Sequence, residues 1–255
     1  MKNLLFFICF LSTFLGFTQN RFTKIVNDNQ FKTTKNQLLD FISYDFSPVI
    51  LGLNTNQTYG VIDTHFKRIH VKITNVQKDS VQPNLYHIKG KSMVGRALES
   101  FKGTLTLHTI KETYPIVLDN ETVSLPTAYE GVLFGNYTFY EPKNNIHSGY
   151  FEGTYQGMFQ ITEENNVFYN DLALGKPNYF NNAFIGYWID YETKIAKICK
   201  WADYRVPDVP LEFDHGVERF LPDEKFNQKG WKTYNDAYLN NNFKAKEAED
   251  NWWWK

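Results

Sequence analysis

The chain has 255 residues, is 42% hydrophobic and 17% aromatic, and carries 27 Lys and Arg against 28 Asp and Glu. That length suits one sizeable β-domain with an extension, and the balanced charge supplies no net field to draw in nucleic acid or an acidic membrane, so no nucleic-acid partner is expected. The 22 Phe, 16 Tyr and 6 Trp are more aromatic residues than an ordinary soluble domain needs; strands and binding surfaces both favour them.

Met1-Lys2-Asn3 gives a short positive start, and Leu4 to Leu15 is almost unbroken apolar sequence. About 12 residues are too few to span a bilayer, which needs about 20. With the small residues Gly16 and Thr18 behind it, the run reads as a signal peptide over 1–18, cleaved near Thr18-Gln19. This predicts a secreted or periplasmic protein with no transmembrane segment in the mature chain. Cys199 would then be the one remaining cysteine, so stability must come from the core and not from an internal disulfide. The sequons at Asn56, Asn120 and Asn136 are expected by chance in an Asn-rich chain.

Leu38, Leu39, Phe41 and Ile42 are spaced for one short helix within 34–46, closed by Ser47-Pro48, and 54–60 reads as a loop. From Thr64 the period becomes two. Ile69, Val71 and Ile73 share a face over 65–76, followed by strands over 85–94 and 101–111. Pro115 to Leu118 suggests a short edge strand. Further strands are predicted over 131–141, 148–162, 167–174, 183–191 and 195–204. Beyond Arg205 the pattern changes: Pro207, Pro210 and Pro222 interrupt regular structure, and 234–250 suits one polar helix. Residues 19–205 therefore form the β-domain with its N-terminal helix, and 206–255 an extension packed on it.

A large apolar residue, glycine and another large apolar residue recur two positions apart: Phe101-Gly103-Leu105, Leu133-Gly135-Tyr137, Phe151-Gly153-Tyr155 and Phe184-Gly186-Trp188, with a weaker copy at Ile88-Gly90. Spacing of two puts each set on one face, and repeated strand glycines point to strands that coil sharply or pack closely. The expected fold is all-β, an antiparallel meander closing into a barrel of about eight to ten strands. The strand containing Gly186-Tyr187-Trp188 resembles the Gly-x-Trp strand of lipocalins and the wider calycin group. That resemblance implies a lipocalin-like barrel whose tryptophan packs against an arginine from a late strand, the place Arg205 would fill.

Catalytic signatures such as Gly-x-Ser-x-Gly, His-Glu-x-x-His and the phosphate-binding glycine loops are absent from the sequence. His65 and His70 differ in parity, so they cannot grip one metal; His70, His87 and His108 could form a cross-strand ladder or simply be solvated. No metal or cofactor is expected, and a non-catalytic role is favoured. Glu141 and Asp190, at strand ends with the parity of the glycines, form the alternative of a carboxylate-dependent hydrolase or merely flank hairpins. Tyr137, Tyr155, Phe159 and Trp188 share the glycine face, and with Arg205 they are the candidate ligand-binding residues. They describe either a filled core or an apolar pocket for a small hydrophobic or amphipathic molecule. Trp252, Trp253 and Trp254 either dock on the barrel wall or, as exposed aromatics, bind glycan or protein.

Overall fold

The computed structural model describes residues 28–55, 57–115, 127–171 and 178–255. The signal-peptide reading, the edge strand expected over 115–118 beyond Pro115, and the part of the strand expected over 167–174 beyond Asp171 lie outside those residues. Nine strands are described: β1 (Thr58–Ile62), β2 (Lys67–Lys78), β3 (Leu85–Val94), β4 (Ala97–Glu112), β5 (Thr127–Tyr140), β6 (Gly149–Thr162), β7 (Val167–Tyr169), β8 (Asn181–Asp190) and β9 (Ala196–Asp203). All pairings are antiparallel, and the order β5-β4-β3-β2-β1-β9-β8-β6 returns on itself because β5 also pairs with β6. Eight strands thus form a closed ring, mostly of sequence neighbours, with β1 paired to β9 and β6 to β8, while β7 is a spur on β6. Closure removes both sheet edges.

β1, whose first part to Gly60 falls in the stretch expected as loop, is the strand that closes the ring between β2 and β9. Its sequence hides it. Tyr59 and Val61 are as buried as the inward residues because the extension covers the outer face, so the alternation that marks a half-exposed strand is missing.

The recurrent glycines lie tight against the adjacent strand, Gly90 under the Phe101 ring and Gly103, Gly135, Gly153 and Gly186 against backbone carbonyls. A Cβ on Gly90 would lie 2.3 Å from the Phe101 ring, and one on Gly186 would lie 1.9 Å from the Glu152 carbonyl oxygen. Gly153 and Gly186 face each other directly across β6 and β8. Removing side chains at these points makes room for Phe139, Phe151, Tyr155, Phe184 and Trp201, all fully buried in one core. Buried aromatic surface of this kind is the main stabilising term available.

The ring has two unlike ends. The hairpins β1–β2, β3–β4, β5–β6 and β8–β9 gather at one. Helices α1 (Leu38–Phe41) and α2 (Ser47–Leu51) close the other, with Phe46 and Phe41 packed edge-on against Phe159 at 5.0 and 5.8 Å. Pro48 does not end a helix as expected. It occupies the first turn of α2, where its missing N–H costs nothing.

The extension carries a 3-10 helix (Glu224–Lys229), α3 (Lys232–Tyr238) and α4 (Phe243–Asp250). The helical stretch expected over 234–250 is interrupted at Leu239–Asn242, where Asn241 takes a positive φ and the Asn242 side chain caps α4. Phe213, Phe220, Trp231 and Tyr234 pack with Tyr59 and Val61 as a second core on the outside of β1. No helix among the described residues is long and apolar enough to cross a membrane.

Candidate functional site

Tyr137, Tyr155 and Phe159 point inward and are buried. Tyr137 stacks on Phe139 at 4.9 Å and meets Phe184 and Trp201 edge-on at 5.2 and 5.6 Å, and its hydroxyl has no hydrogen-bond partner among the described residues. Phe184 stacks on Trp201 at 4.9 Å and Phe101 on Phe139 at 5.2 Å. The face picked out by the glycines is filled here by interlocking rings.

Trp188 and Arg205 are not brought together. Trp188 pairs with Lys197 near the hairpin end, whereas Arg205 lies beyond Asp203, the last residue of β9, at the helix-capped end; at about 3.3 Å per residue the stretch from Lys197 to Asp203 alone spans roughly 20 Å. Lys197 lies over the Trp188 ring at 5.1 Å. Arg205 instead forms an ion pair with Asp214 at 2.9 Å and donates to the Gly216 carbonyl at 2.8 Å, anchoring the start of the extension.

Each end holds a buried carboxylate. At the hairpin end, Glu141 accepts hydrogen bonds from Ser92 Oγ (3.2 Å), the Gly149 backbone N–H (2.8 Å) and Trp188 Nε1 (3.0 Å). Burial pushes its pKa up, against the pull of these donors. Asp190, the other expected acid, caps the β8–β9 turn by accepting the Thr193 and Glu192 backbone N–H groups, and those bonds hold its carboxyl below the usual range. Both carboxylates serve strand ends and turns.

At the helix-capped end, Asp203 accepts from Thr58 Oγ1 (2.6 Å) and the Tyr169 hydroxyl (3.0 Å). Burial raises its carboxyl to about 6, while those donors and the Lys72 charge pull the other way. Lys72 Nζ donates to the carbonyls of Leu53 (2.8 Å) and Thr55 (3.4 Å), and burial lowers its pKa. Tyr155 donates to Asn182 at 2.8 Å, and Asn182 donates to the Val49 carbonyl of α2 at 2.7 Å. A void of about 20 Å³ lies among Lys72, Asp203, Asn182 and Trp201, room for one water among groups that would bind it.

Beside α2 the surface opens into a groove of about 690 Å³ between the α1–α2 connection and the β6–β7 turn. Tyr44 and Phe168 supply aromatic surface, with Asn165, Asn166, Ser43 and Asp45 as polar neighbours. Phe168 is 41% exposed. Tyr44 donates its hydroxyl to Asn165 Oδ1 at 2.9 Å, tying the two walls together.

Of the two alternatives for the histidines, the ladder does not form: His70 faces Met93, His87 faces Gln77 and binds Asp79 at 2.8 Å, and His108 sits at a register shift in β4. Among the described residues no group of three His, Cys, Asp or Glu side chains is placed to hold a metal ion. Sequence reasoning missed Asp203, Lys72, Tyr169 and the groove. For Asp203 a signal existed, a charged residue with the inward parity of Cys199 and Trp201. Comparison with known proteins gives no match to a protein-family model, a curated protein or a solved structure.

Proposed function

We propose that this is an exported, non-catalytic binding protein whose ligand is a small amphipathic, polyhydroxylated molecule of the neutral-sugar type, held in the groove beside α2. The observation that carries this reading is the contrast between an inner face filled by stacked rings and an open groove lined by Tyr44, Phe168, two asparagines and Asp45. Aromatic faces cover the apolar side of a sugar ring, and amide and carboxylate groups receive its hydroxyls. None of the groove's lining residues is cationic, which favours a neutral ligand over an anionic one. Export rests on the N-terminal sequence.

The test is saturation-transfer NMR on the folded protein with maltohexaose, cellohexaose and chitohexaose. At least one should receive saturation from the protein, and Phe168→Ala should remove the effect without changing the circular dichroism spectrum. No transfer to any of the three, or transfer indifferent to Phe168→Ala, contradicts the proposal.

A further inference from the structure

The segment after α4 lies against the outside of β2. Arg68 holds Glu249 of α4 through two hydrogen bonds of 2.7 and 2.5 Å, and its guanidinium sits 4.9 Å from the Trp231 ring. Past this anchor, the Trp253 ring lies 5.5 Å from His70, and the Trp254 ring 5.1 Å from Lys72 Nζ. Lys91 Nζ donates to the Trp254 carbonyl at 2.6 Å. Trp254 is only 8% exposed.

Beneath these rings is a polar void of about 10 Å³ reaching His70, Arg68 and Thr55. It shares Thr58, Val71 and Lys72 with the 20 Å³ void beside Asp203, so Lys72 is the wall between them. Neither Lys72 nor Lys91 forms an ion pair among the described residues; both spend their charge on backbone carbonyls. Lys72 and Lys91 face each other across β2 and β3, and two ammonium groups held by carbonyls, beside a slot filled by an indole, make a site complementary to an aromatic ring that carries an anion, with Glu249 at its Arg68-paired margin and Asp203 beyond Lys72. The segment's own backbone bonds, Trp253 N–H to Asn251 and Lys255 N–H to Trp252, are internal, and among the described residues the Lys91 bond and the ring contacts tie Trp253 and Trp254 to β2 and β3.

We propose that Trp252–Trp254 is a displaceable cover over a binding site for small aromatic carboxylates, with the ligand ring in the place of the Trp254 indole and its carboxylate between Lys72 and Lys91. The cover competes with the ligand, so intact protein binds with an affinity reduced by the fraction of time the cover is open. This site is separate from the groove, and either reading stands or falls without the other.

The experiment is an NMR titration with indole-3-propionate of the intact protein and of Trp253→Ala/Trp254→Ala, with Trp254→Ser as a second opened variant. His70 reports on the cover: burial, with help from the Arg68 charge, holds its pKa down at about 3, and uncovering should return it toward the ordinary 6.5 even with Arg68, Lys72 and Glu249 around it. The opened variants should bind the probe about ten-fold or more tightly than the intact chain, for a cover open about a tenth of the time or less. Adding Lys72→Met or Lys91→Met should abolish that gain, and 3-methylindole, which lacks the carboxylate, should bind far more weakly. Equal affinity of intact and opened protein, no binding by a folded opened variant, or binding indifferent to both lysines would overturn the proposal.

Discussion

Glu141 and Asp203 are buried carboxylates at opposite ends of one ring, and they are satisfied in different ways. Glu141 is enclosed by donors from β3, β8 and the start of β6. Those groups are fixed by strand pairing, and the carboxylate works as a latch across the hairpin end. Asp203 is met by Thr58 and Tyr169 from short or peripheral strands, has a buried lysine nearby and borders a void. The ring is therefore locked at the hairpin end and assembled from separable parts at the other, where α1, α2 and β7 come together. Binding sites are drawn from such less uniformly packed regions, because a ligand needs groups not already committed to the fold.

The largest effect should come from removing the latch. Glu141→Ala leaves three buried donors without an acceptor, and each costs about 1–3 kcal/mol, so chemical denaturation should show a loss of about 3 kcal/mol or more. Asp203→Ala strands two such donors and should cost less. A larger loss at Asp203 would reverse the comparison.

The two carboxylates should also shape the pH dependence. Asp203 is raised to about 6 from an ordinary 3.8. Between those values the unfolded chain has released the proton and the native protein still holds it. The Asp203 contribution to stability should therefore be fully present below about pH 4 and be lost as pH rises to about 6, on the order of 3 kcal/mol at 1.36 kcal/mol per unit. Glu141 contributes with the same sign, since its pKa is also raised. Denaturation midpoints across pH 3–8 should show a shallower decline in Asp203→Asn; an unchanged decline would show that Asp203 is not its source.

Single hydrogen-bond deletions should separate the ends further. Trp188→Phe and Tyr169→Phe each remove one donor from a buried carboxylate, at about 1 kcal/mol, and each should move that carboxylate's pKa higher by taking away a bond that favours its charged form. The smallest effect on stability belongs to Phe168→Ala, within about 0.5 kcal/mol because the ring is a surface residue, although the same change should remove sugar binding.

Much of the fold was legible because most of the ring is a meander of strands with clean alternation. In β6, Phe151, Gly153, Tyr155, Gly157 and Phe159 mark the inner face by parity alone, and β2 and β3 read the same way. β1 was not legible, because Tyr59 and Val61 are buried by residues some 150 positions downstream, and local pattern carries no trace of a partner so distant. The candidate site was less visible still. Parity placed Tyr137, Tyr155 and Phe159 on one face but could not say whether rings fill the space between them. Trp188 and Arg205 look close along the chain, yet β8 and β9 run antiparallel, so a residue late in β8 lies far from one just after β9. Tyr44 and Phe168 line one groove because β7 folds back as a spur on β6.

The most direct test of an occupied groove over a filled interior is a backbone-amide and tryptophan-indole chemical-shift map of the isotope-labelled protein, titrated separately with the three hexasaccharides and with laurate. Shifts are expected to be confined to Tyr44, Asn165, Asn166 and Phe168 with one of the sugars, and to be absent at Tyr137, Phe184 and Trp201 with laurate. Saturable shifts at Tyr137, Phe184 and the Trp201 indole on adding laurate, with the groove unmoved by every sugar, would contradict both the occupied groove and the filled interior.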